Sequence, residues 1–211
     1  MACYYGQVKL FLSSIRLPTK NEQAQLFGDK SPVVVTVVPN AWDVYPEEQQ
    51  KTELENTLAQ FKNLNYHASI MDLVTSSSEQ IKNKLTSSDF VWVMGGNSFY
   101  LNHLVRKSSF DSILRKALDE GLVYGGTSAG AVIAGHTLHG AENADDPNKA
   151  PEIIWEGMGL VDFGIVPHWG MEKYADALEK MRTDMQPYTS HVITLTNDQA
   201  IIVRDNKIQS P

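Results

Sequence analysis

The stretch "VYGGTSAGAVIAG", Val123–Gly135, holds four of the chain's 14 glycines and three alanines around a single serine, Ser128. An apolar run leads in and a small-residue run of helical character leads out. The stretch therefore reads as strand, sharp turn, helix. Two accounts fit the glycines. One is a tight turn that lets a strand and a helix pack closely. The other is a serine displayed for chemistry, because Gly-Thr-Ser-Ala-Gly, from Gly126 to Gly130, fits G-x-S-x-G, the pattern of a nucleophile elbow. An elbow holds its serine in an unfavourable backbone conformation above the sheet, where side chains two residues before or after would collide. Gly126 and Gly130 meet that demand. The N–H of Ala129, at the helix start, is the first candidate donor to an oxyanion.

Strand and helix signals alternate on both sides of this corner. "SPVVVTVVPNA" (Ser31–Ala41) is β-branched almost throughout, which suits a strand buried on both faces of a parallel sheet. "VKLFLSS" (Val8–Ser14), "YHASIMDL", "DFVWVMGG" (Asp89–Gly96) and "DFGIVPHW" are also strand-like. Leu54, Leu58 and Phe61 recur at helical spacing, and Glu79–Leu85 reads as a short helix. Phe110, Ile113, Leu114, Ala117 and Leu118 share one helical face, with Gly121 as its stop. Tyr174, Leu178, Met181 and Met185 mark another helix. "HVITLT" and "QAIIVRD" are expected to close the chain as a strand pair around "TND". The alternation implies βαβ units and a mostly parallel central sheet with helices on both faces, in one domain over residues 1–211. Sites in such sheets form at the carboxyl ends of strands. That rule selects Gly95–Gly96, Gly126–Ser128 and His168.

Composition narrows the function. The 211 residues are 42% hydrophobic and 20% charged, enough to build a sizeable core. A formal net charge of −7 and the lack of a dense Lys/Arg cluster argue against nucleic-acid binding. The single cysteine, Cys3, excludes an intrachain disulfide framework and a cysteine-based zinc site. The opening "MACYYGQVKLFLSS" has no charged n-region or long h-region, and no apolar run approaches the roughly 18 residues of a membrane helix. A cytoplasmic protein without a membrane partner, monomer or homodimer, is expected.

A nucleophilic serine needs a base, and the base needs an orienting group. Of six histidines, His168 is the best base by position. It follows a strand directly, with Pro167 stiffening the exit and Gly170 opening space. His67 and His191 lie in strands, His103 on a helix, and His136 and His139 follow the serine too closely to reach back. "MGGN", Met94–Asn97, offers approachable N–H groups at a strand end for a second oxyanion donor, with Asn97 or Ser98 as N-cap of the next helix. An α/β-hydrolase-type esterase would need an acid between serine and histidine, and Asp162 satisfies that order alone.

Four motifs, "VMGGNSFYLNHL", "GGTSAGAVIAG", "GMGLVDFGIVPHW" and "LTNDQAIIV", together resemble the peptidase E family of aspartyl dipeptidases and their relatives, in order along nearly the whole chain. The resemblance implies a class I glutamine-amidotransferase-like α/β/α fold and serine peptidase chemistry on a small peptide substrate. It also implies no metal or organic cofactor. It makes Ser128 the nucleophile, His168 the general base, and Gly96 and Ala129 the oxyanion donors. The family's third catalytic residue is acidic. Its slot here, counted from Leu195, holds Asn197, and Asp198 follows, so either Asn197 as an amide or Asp198 orients the ring. An amide stabilises imidazolium less than a carboxylate does, which keeps a catalytically impaired or purely binding member in view. Asp145 or Asp146 would match an acidic residue of the loop after the elbow. Arg182 would pair with an N-terminal aspartate of the substrate, and Asn97 is a further candidate substrate contact.

Overall fold

Val33–Val38 (β2) is buried along almost its whole length, as its β-branched run demands, because it lies inside a sheet covered on both faces. The computed structural model describes residues 8–204 and 207–209; Cys3 lies outside the described residues. Those residues form a seven-stranded sheet of order β3-β2-β4-β5-β1-β8-β9. Its members are β1 (Lys9–Ser13), β2, β3 (Tyr66–Ile70), β4 (Phe90–Val93), β5 (Val123–Thr127), β8 (Ala200–Arg204) and β9 (Lys207–Gln209). The first five run parallel, and β8 is antiparallel to both β1 and β9. A separate parallel pair joins β6 (Gly164–Val166) to β7 (Val192–Thr194).

Alternation along the strands divides the core into two layers. Leu10, Leu12, Val91, Val93 and Tyr124 face one side, packed against α3 (Ser78–Thr86), α4 (Ser98–Lys107), α5 (Phe110–Asp119) and α7 (Ala175–Met185). Phe11, Val35, Val37, Phe90 and Trp92 face the other, against α1 (Lys20–Phe27) and α2 (Glu47–Asn63). The result is the expected helix–sheet–helix sandwich.

One local expectation is corrected. The last two strand-like segments do not pair with each other. Val192–Thr194 is only half-buried and takes β6, whereas Ala200–Val203 is buried on both faces and fills the slot beside β1. The "DFGIVPHW" strand therefore lies outside the main sheet. The helix after Ser128, α6, is one turn long, Ala129–Val132. No helix among the described residues is long and apolar enough to cross a membrane.

Candidate active site

Strand exits converge on Ser128. Ser128 leaves β5 at φ 48°, ψ −113°, a conformation rare for any residue but glycine. Its N–H bonds the Ser13 carbonyl at the end of β1 (3.1 Å). The glycines two before and two after it have no room for a side chain. A Cβ on Gly126 would stand 2.4 Å from the Gly130 carbonyl oxygen, and one on Gly130 would stand 2.3 Å from that of Val93. Gly125 clears the Phe90 and Trp92 rings instead. The glycine surplus thus serves packing and the corner together. Ser128 itself is partly exposed.

The parallel pairing of β6 and β7 brings His168 and Asn197 side by side. It continues past the strands through Leu195 N–H to the Val166 carbonyl and Trp169 N–H to the Leu195 carbonyl, both 2.9 Å. His168, itself at φ 61°, sets Nε2 2.9 Å from Ser128 Oγ and Nδ1 2.9 Å from Asn197 Oδ1. With the proton on Nδ1, the ring donates to the amide oxygen and leaves Nε2 free to accept from the serine. This arrangement can draw a proton from Ser128. Asp198 is not part of it. Its side chain is exposed and held by the Thr196 hydroxyl, and its carbonyl accepts from Arg16 Nε at 2.7 Å.

Gly96 (φ 133°) follows β4 on the other side of the serine. A Cβ there would collide with the Ala41 carbonyl, and one on Gly95 would lie 2.9 Å from Ser128 Cβ. Ala129 opens α6, where the first N–H groups of a helix lack intrahelical acceptors. Asn97 is turned inward and only 1% exposed. Its oxygen caps α4 through the Tyr100 N–H, and its amide nitrogen donates to the Asp146 carbonyl, each at 2.9 Å. Both ends of the side chain are occupied within the protein, which fits a cap and not a substrate contact.

Asp145 accepts the Ser98 N–H at 2.9 Å. Burial raises its carboxyl above the usual range. Hydrogen bonds from Ser98 and attraction to His168 oppose that shift without cancelling it. Asp146 is exposed and caps the next turn through Asn148 N–H. Arg182 sits on α7 in an ion pair with Glu179, one turn back. Asp162 is exposed, and the ring position an esterase acid would need is filled by Asn197. Among the described residues no group of three or more His, Cys, Asp and Glu side chains could hold a metal.

One neighbour of this cluster escaped the sequence reading. Ser14, fully buried just after β1, accepts the His168 N–H on Oγ (2.8 Å) and donates to Asn197 Oδ1 (3.1 Å). The carboxyl-end rule could have pointed to it, since "KLFLSS" is also a strand running into serines.

Comparison with known proteins identifies the family. The chain is 27% identical over 175 residues to an uncharacterized peptidase of Listeria monocytogenes, covering 82% of this chain and 83% of the relative. It is 33% identical over 109 residues to a peptidase E of Nostoc, covering 52% and 42% of the two chains. A crystal structure of a peptidase E-type protein from Listeria monocytogenes shares the fold, with a TM-score of 0.82 at 24% identity over 98% of both chains. The model of peptidase family S51 matches residues 16–210, and the chain belongs to that family of peptidases.

Proposed function

We propose that the protein is a serine-type peptidase of short peptides, with Ser128 as nucleophile and His168 as general base. One observation carries the reading. The Ser128 hydroxyl, on a backbone held at positive φ, lies 2.9 Å from His168 Nε2 while Asn197 holds the other ring nitrogen. Ser128 Oγ adds to the scissile carbonyl as its proton passes to Nε2. The carbonyl oxygen becomes an oxyanion, for which the N–H groups of Gly96 and Ala129 are the donors. The C–N bond then breaks, the imidazolium protonates the leaving amine, and an acyl-enzyme remains. Water attacks the ester with His168 again as base, releasing the acid and free Ser128.

The resemblance to aspartyl dipeptidases supports dipeptides with an N-terminal aspartate as substrates. Arg182 would then exchange Glu179 for the substrate carboxylate. Exposed ion pairs of this kind contribute little to stability and are readily exchanged. A panel of Asp-X, Ala-X and Lys-X dipeptides tests both levels. Wild type is expected to cleave Asp-X fastest, and Ser128→Ala to cleave nothing while keeping its circular dichroism. Hydrolysis by Ser128→Ala removes the serine assignment, whereas indifference to the first residue removes only the aspartyl preference. The neutral amide at Asn197 favours a second reading, an impaired or binding member. That reading predicts a wild type inert towards every peptide.

A further inference from the structure

Resting on the serine-peptidase reading, we infer that Ser14 is a positioning residue: it holds the Asn197 amide in the orientation that leaves His168 able to act as a base. A carboxylate beside a histidine presents an oxygen whichever way it turns. An amide does not. If the Asn197 side chain rotated by half a turn, its NH₂ would face His168 Nδ1 and demand a lone pair there. The ring would then carry its proton on Nε2, pointing at Ser128, and could not accept the serine proton. A chain that places asparagine here needs a device against that rotation.

Ser14 supplies it through the single proton on its hydroxyl. Its oxygen already accepts the His168 N–H at 2.8 Å. The proton has two acceptors in reach, Asn197 Oδ1 at 3.1 Å and His168 Nδ1 at 3.4 Å. The second is open only in the inactive tautomer. Donation to Oδ1 therefore selects an upright amide and a proton on Nδ1 in one step. At the far end Asn197 Nδ2 meets the Met171 sulfur at 3.4 Å, a weak acceptor that resists rotation little by itself. Ser14 is fully buried, so water cannot readily replace it.

A double-mutant cycle with Ser14→Ala and Asn197→Asp tests this, read as the rate of Ser128 labelling by a fluorophosphonate probe. In the Asn197 background Ser14→Ala is expected to slow labelling by about tenfold, the worth of roughly 1.4 kcal/mol in a hydrogen bond. In the Asn197→Asp background, where no wrong orientation exists, the loss should be about threefold or less. Equal losses in both backgrounds would mean that Ser14 only supports the His168 backbone, and would overturn the inference. If Ser14→Ala does not fold, Ser14→Cys keeps the shape with a weak donor, and the same comparison applies. Ser128→Ala is run alongside: undiminished labelling there refutes the serine reading itself, a failure separate from that of Ser14.

Discussion

Asn197 holds the candidate base through a neutral amide, and its geometry defines what such a partner does. Its amide oxygen accepts from the imidazole but brings no full charge to the imidazolium. Hydrogen bonds to charged groups are worth about 1 kcal/mol more than neutral ones. Asn197→Asp should therefore raise the rate of acylation by roughly fivefold to tenfold at pH 7. The gain requires an ionised carboxylate, so it should fade as the pH falls towards about 4. Initial rates on the best dipeptide of the panel, measured from pH 4 to 8, check both the size and the direction. A slower Asn197→Asp enzyme at pH 7 would show that the amide is not limiting. The sequence offered Asn197 and Asp198 equally, because one residue of register in a turn has no periodic signature. Two bonds within the turn and one from far away in the sequence hold its register. Thr196 N–H bonds the Gln199 side chain, Gln199 N–H returns to the Thr196 carbonyl, and Arg16 takes the Asp198 carbonyl.

At the scale of elements, α1 braces that same turn. Thr19 caps the helix, and Glu22 closes the capping box by accepting the Thr19 N–H at 2.7 Å. Glu22 also takes Arg16 in a two-pronged pair at 2.6 and 2.7 Å, and Arg16 reaches on to Asp198. Burial pushes the Glu22 carboxyl up, but the Arg16 and Thr19 hydrogen bonds and the Arg16 charge outweigh it and hold the carboxyl below its usual range. A lowered folded-state value contributes stability above the unfolded value of about 4.3 and loses it as the pH falls through the folded one. Glu22→Gln should thus be less stable than wild type at pH 7, with the gap closing below about pH 4. Thr19→Ala should cost about 1 kcal/mol at pH 7. Urea denaturation at several pH values measures each, and a Glu22→Gln gap independent of pH would contradict the linkage. The choice of partners by β7 and β8 belongs to this scale too. Two strand-like runs joined by "TND" look like a hairpin, but partner choice depended on burial. The doubly buried run entered the sheet at β8, and the half-buried one joined β6.

At the scale of the molecule, the sheet gathers groups that lie far apart in the chain. Ser14 and His168 are 154 positions apart, Ser128 and His168 forty. The approach of Ser128 to His168 was legible because each follows a strand in a local pattern, glycines around one and a Pro-His-Trp-Gly exit at the other. Ser14 was less so: the strand-end rule reaches it, but a serine at a strand end looks like many others until the sheet is assembled. The alternation of strands and helices also announced the layered architecture, because a buried parallel strand requires covering on both faces. The central claim is that this assembly makes Ser128 a nucleophile. Intact-mass and peptide mapping after fluorophosphonate treatment tests it most directly. The account predicts a single adduct on the peptide containing Ser128, absent in both Ser128→Ala and His168→Ala. An adduct of equal yield in Ser128→Ala, or one mapped to another residue, would contradict it.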